Sequence, residues 1–152
     1  MSFQSMRWGV KASFCGYVEA MGGSIEASDG ASRGEDGAFV LTAASGGDLT
    51  VAPDGTASGS MRFDGTINFD AHGGMLKVTL TELGIEVDDE GLVLTALQAP
   101  LNKDRCAIAK LSVAETQGDD AITLRAEITM DGMYQIADNY PPGTELDPVI
   151  LG

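Results

Sequence analysis

The chain predicts an all-β domain: a mainly antiparallel β-sandwich or curved sheet with one or two short helices. Three observations carry this. Apolar and polar residues alternate at period two in run after run. Turn-forming pairs punctuate those runs, with Asp-Gly at 29–30, 36–37, 54–55, 64–65 and 131–132 and Gly-Gly at 46–47 and 73–74. The 152 residues are 43% hydrophobic with 20 glycines and only 6% aromatic, which suits a single folded domain over 1–152 with many tight turns.

The first element is the one stretch with helical spacing. Between Lys11 and Met21, the residues Phe14, Tyr17, Val18 and Met21 recur at i, i+3, i+4 and i+7. Ser13 is placed to cap this helix and Gly22-Gly23 to end it. Strands follow at Phe39–Leu41, Leu49–Val51, Met61–Phe63, Ile67–Phe69, Leu76–Leu80, Ile85–Val87, Leu92–Leu94 and Ile122–Met130, and the apolar run 105–114 reads as another. Residues 43–60, rich in Ala, Ser, Gly and Thr, read as small-residue strands or mobile loops and not as a domain boundary. The tail 138–152 carries Pro141, Pro142 and Pro148, which exclude regular helix and favour extended or turn geometry. It is expected to wrap the edge of the fold and bring Tyr140 towards Tyr17. Trp8 is expected in the core.

The formal net charge of −14 repels phosphate backbones and anionic headgroups, so nucleic acid and membrane surfaces are poor partners. No basic segment followed by an apolar run opens the chain, and no stretch approaches ~18 apolar residues. The expectation is no membrane insertion and a cytoplasmic chain, or an exported one if it was trimmed. A bridge between Cys15 and Cys106 depends on a separation that sequence does not set. A cytoplasmic chain keeps both reduced, and two buried free thiols are expected. The acidic runs Asp88-Asp89-Glu90 and Asp119-Asp120 read as loop tips. No complete calcium loop, zinc motif or nucleotide-binding glycine loop is present.

Three segments concentrate the remaining chemistry: WGVKASFCGYV at 8–18, FDAHGGMLKVTL at 69–80 and NYPPGTELDPV at 139–149. They deliver Tyr17, Tyr140 and His72, the only histidine of the chain. Taken alone, a tyrosine near a tryptophan reads as a core or interface residue, a histidine in His-Gly-Gly as an exposed turn residue, and Tyr140 before Pro-Pro as a packing residue. In this order and spacing, however, the three segments resemble the HtaA domain, a haem-binding module of bacterial haem-uptake proteins. The first and third are the specific ones, with Lys-x-Ser-Phe-x-x-Tyr-Val and Tyr-x-x-Gly-Thr-x-Leu-Asp-Pro. At Cys15 this chain departs from the family, which more often carries a polar or basic residue there. The family is usually exported, which this chain's opening does not announce.

The resemblance implies a ferric haem b with Tyr17 as axial ligand, His72 as its hydrogen-bond partner, Tyr140 on the facing wall and Ser13 near the porphyrin edge or a propionate. Ferric iron is a hard Lewis acid that favours an anionic oxygen, and tyrosine is an established haem ligand. A histidine taking or sharing the phenolic proton fixes the ring and adds a basic push. Haem carries two propionates that the overall charge repels, so a local basic or hydroxyl group must receive them. Such a site suits haem transport or storage, and the chain is expected not to be an enzyme. A haem-transfer protein is the implied partner, and the oligomeric state is open, a dimer included. Other readings stay open beside it: a site for another flat apolar molecule such as a steroid, an acid–base pair of Tyr17 and His72, and a domain that kept the fold and lost the ligand.

Overall fold

Alternating side chains build most of this molecule, and the place where the alternation breaks positions the candidate site. The computed structural model describes residues 3–35, 37–52, 54–71, 73, 76–89, 91–97, 105–117, 121–136 and 140–152. His72, one of the four candidate site residues, lies outside the described residues, as do Glu90, Asp119 and Asp120. In chain order the elements are β1 (Ser5–Trp8), α1 (Ala12–Ala20), β2 (Ser24–Ser28), β3 (Ala31–Arg33), β4 (Phe39–Ala43), β5 (Thr50–Val51), β6 (Ala57–Ser58) and β7 (Ser60–Asp64). There follow β8 (Thr66–Ala71), β9 (Leu76–Thr81), β10 (Gly84–Asp88), β11 (Gly91–Leu97), β12 (Arg105–Gln117), β13 (Ala121–Ile128), α2 (Met130–Gln135) and β14 (Glu145–Leu151).

The strands pair antiparallel in a sheet ordered β1-β14-β13-β12-β11-β10-β7-β4-β3, and β1 also pairs with β4. Met6 faces Leu151 on one side and Leu41 on the other. The outer edge of β4 is divided, with β3 along Phe39–Leu41 and β7 at Thr42–Ala43. The curved sheet therefore closes on itself into a barrel through the β1–β4 pairing, which leaves β1 with no open edge. A separate sheet, β2-β8-β9, and the small β5–β6 hairpin complete the strands. Among the described residues no helix is long and apolar enough to cross a membrane.

Every strand expected from alternation is present, and Trp8 is fully buried with Phe39, Phe69 and Leu41. Two stretches differ from expectation. The Ile122 run was expected to continue as a strand to Met130, but it stops at Ile128 and α2 begins. Thr129 causes the switch: its hydroxyl accepts from the Gly132 N–H (3.0 Å) and donates to the Ala107 carbonyl (2.6 Å), a helix cap tied to β12. Gly132 sits where a Cβ would collide with the Ile108 carbonyl, so only glycine lets α2 lie this close to β12. The tail was expected to wrap the edge of the fold; it is extended, as the prolines require, but as β14 it lies inside the sheet between β1 and β13.

Candidate functional site

The site is built on α1. Lys11 occupies the N-cap in an extended conformation and makes no side-chain cap bond. Ser13, expected to be the cap, instead lies inside the first turn. Its hydroxyl is 3.3 Å from that of Tyr140, a partner far off in sequence. The other end follows expectation. Gly22 N–H donates to Glu19 O (3.1 Å) and Gly23 N–H to Val18 O (2.9 Å), and Gly22 takes φ +74°, the left-handed turn that closes a helix.

Phe14, Cys15 and Val18 of α1 are buried, whereas Tyr17 is 45% and Met21 48% exposed. The expected apolar face is thus split: two of its four residues go into the core and two stand at the surface. Aromatic packing sets the division. The Phe14 ring lies 5.0 Å from that of Phe69 on β8, which lies 6.1 Å from that of Phe39. Once Phe14 points at β8, helical geometry turns Ser13 and Tyr17, four residues apart, along a common outer row. At the C-terminus of α1, a side chain at Gly23 would strike the Asp70 carbonyl and the Ala71 methyl. Glycine there lets the end of β8, just before His72, approach the helix closely.

Tyr140 returns to this helix as the tail was expected to do. Its ring meets Phe14 edge-on (6.4 Å, 76°) and has the Lys11 ammonium 5.4 Å from its centroid. Lys11 also donates to the Glu145 carbonyl (2.8 Å). Of the four candidates, the structure joins Ser13 to Tyr140 directly and places Tyr17 one turn further along the same row. Lys11 was not singled out from sequence, although it stands within the Lys-x-Ser-Phe motif; only the fold shows which ring it covers. Tyr134, on α2, is 70% exposed.

A cleft of about 360 Å³ opens along the opposite flank of α1, lined by Trp8, Gly9, Cys15, Glu19, Arg33 and Asp147 among others, and it contains none of Ser13, Tyr17 or Tyr140. Arg33 and Glu19 pair across it at 3.0 Å. Both cysteines are buried and neither forms a disulfide, as expected. Burial pushes the Cys15 thiol above its ordinary pKa, with the Arg33 guanidinium pulling more weakly the other way, and its Sγ points at the Gly9 carbonyl (3.6 Å). The thiolate is the reactive form. Because both are buried, both thiols of the folded protein should react with a thiol reagent at least ~10-fold more slowly than an exposed thiol, and both should react fully once it is unfolded. Rapid labelling of either in native protein would contradict this placement.

The family model HtaA, described as Htaa, matches residues 4–151. This chain belongs to the HtaA family. Solved structures agree. The C-terminal domain of HtaA from Corynebacterium glutamicum is 26% identical, with TM-score 0.76 over 99% of this chain and 100% of that one. The N-terminal domain of the same protein is 24% identical, with TM-score 0.76 over 99% and 96%. The heme binding protein HtaB from Corynebacterium glutamicum is 18% identical, with TM-score 0.66 over 98% and 91%, and shares the fold. A comparison with curated proteins gives no match. The closed barrel, with α1 packed on β2 and β8 of the separate sheet, is thus the HtaA fold.

Proposed function

We propose that this HtaA domain binds one ferric haem b and carries it reversibly, in transport or storage. Tyr17 would hold the iron through its phenol oxygen, His72 would be that oxygen's hydrogen-bond partner, and Ser13 and Tyr140 would border the haem. The observation that carries the reading is the half-exposed Tyr17 phenol on an outer row of α1 that also presents the Ser13–Tyr140 hydroxyl pair. The donor set fits the group. A phenol oxygen is the hard donor that ferric iron prefers, the exposed Met21 adds apolar surface on the same helix, and Lys11 and Ser13 supply a cation and a hydroxyl for propionates in an otherwise acidic chain. When bound, the ferric iron acts as a Lewis acid that favours the deprotonated phenol.

The chain's own residues do the rest. Phe14 and Val18 anchor α1 so that the Tyr17 ring keeps one direction. His72 accepts the phenolic proton and holds it close to the oxygen. Ser13 and Tyr140 fix each other and border the wall. One histidine cannot support the ligand and also act as acid or base on an open iron face, which argues for a carrier and against a catalyst. With the proton returned, the Tyr17 phenol would be a poorer iron donor, which would favour release to a haem-transfer partner.

Titration of the protein with hemin, followed by absorption, tests this: saturation is expected at one equivalent. Protoporphyrin without iron should bind far more weakly, and equal binding would replace iron ligation with recognition of a flat apolar molecule. His72→Ala should weaken hemin binding by about 10–100-fold, the usual cost of an outer partner, and make the complex more sensitive to acid. Loss of an imidazole-type spectrum in that variant would instead make His72 the iron ligand.

A further inference from the structure

The first and third sequence motifs each hold residues that the haem reading leaves without a role: Trp8, Gly9 and Val10 in one, Asp147 and Pro148 in the other. The fold brings them together at the start of α1. In the β13–β14 ladder, Leu124 faces Val149 and Ala126 faces Leu146, so Asp147 and Pro148 both lie opposite Arg125. Two residues against one is a β-bulge, and a proline, which has no N–H for the ladder, is at home there. A bulge re-aims a side chain, and here it delivers Asp147 to the connection between β1 and α1.

Three hydrogen bonds tie that connection to Asp147. Trp8 Nε1 donates to its carbonyl (2.8 Å), its own N–H donates to the Val10 carbonyl (2.9 Å), and its Oδ1 accepts the N–H of Ala12, the first residue of α1 (3.2 Å). Between these contacts Val10, a buried β-branched residue, is held at φ 61°. That conformation is a strained one for valine and persists only when its surroundings enforce it. Gly9 completes the fit, since a Cβ there would run into the Asp147 carboxylate. The helix has no cap from its own N-cap residue, Lys11.

We infer that Asp147 is a positioning residue: it caps α1 from the far end of the chain and fixes the direction in which the helix presents Tyr17. A carboxylate at this end satisfies an orphan N–H and complements the helix dipole. The lever is short, because Tyr17 follows Ala12 by about 7.5 Å of helix rise. The capping role stands on the contacts alone, and its consequence for ligand rests on the haem reading above.

Hydrogen exchange and hemin titration of Asp147→Ala and Asp147→Asn test it. Asn keeps an acceptor oxygen and Ala removes it. In Asp147→Ala the amides of 12–15 should exchange about 5–30-fold faster, the usual effect of losing a cap, with the barrel amides unchanged. Hemin affinity should fall about 10-fold with an altered absorption spectrum, while Asp147→Asn stays within about 3-fold of wild type in both readouts. A merely structural role would speed exchange everywhere and leave the spectrum of the bound form alone, and that result overturns the inference. If wild-type protein binds no hemin, the haem reading fails and the local exchange pattern alone decides the capping role. Should Asp147→Ala not fold, Gly9→Ala, which pushes the carboxylate away, should reproduce the local exchange, and wild-type exchange at 12–15 in that variant refutes the cap.

Discussion

Tyr17→Ala should weaken hemin binding by more than about 100-fold, beyond the range expected for any outer partner, and leave the fold intact. Both halves follow from where the residue sits. Its neighbours Phe14 and Val18 are buried where α1 packs on β2 and β8, whereas Tyr17 is 45% exposed. Truncating a surface side chain changes stability by about 0.5 kcal/mol or less. Under the proposed function the lost ligand bond is not replaced from the same row, where the Ser13 and Tyr140 hydroxyls already face each other at 3.3 Å. Unchanged hemin affinity in a folded Tyr17→Ala protein would remove Tyr17 from the site.

Trp8→Ala should be the most damaging single change to stability, at about 3–5 kcal/mol. Trp8 is fully buried, pairs with Phe39 on one side and Val149 on the other, and donates its indole N–H to the Asp147 carbonyl. It therefore stands at the seam where β1 closes the barrel between the two ends of the sheet. Its loss leaves a cavity and an unpaired carbonyl at that seam. A domain of this size loses roughly 2–4 °C of Tm per kcal/mol, so thermal unfolding should fall by roughly 6–20 °C. A drop of under about 2 °C would place Trp8 outside the structural core.

Much of this was legible in the chain, and the exceptions have physical reasons. Strands such as Ala121–Ile128, which bury every second residue, announce themselves by period. β2 does not, because Ser24–Ser28 buries no residue fully and its alternation is faint. α2 was hidden because Met130 continues the period-two run of β13, while the Thr129 cap that ends the strand depends on a carbonyl of β12. Barrel closure was also out of reach, since β1 joins segments from opposite ends of the sequence.

At the site, helical spacing located α1 correctly and Gly22-Gly23 its end, yet spacing alone could not tell that Tyr17 and Met21 face outward. Phe69, a residue of another strand, decides that. Ser13 was misassigned as the cap for a related reason: the acceptor for the first N–H of α1 is Asp147, which comes from β14 at the far end of the chain. The Leu-Asp-Pro motif held that signal, but only the bulge shows where it points.

The most direct test of the central claim is the absorption spectrum of the wild-type hemin complex beside that of Tyr17→Phe. One equivalent of hemin should bind with a high-spin, tyrosinate-type spectrum that Tyr17→Phe loses. An imidazole-type spectrum, a tyrosinate spectrum that survives in Tyr17→Phe, or no hemin binding by the wild-type protein would contradict it.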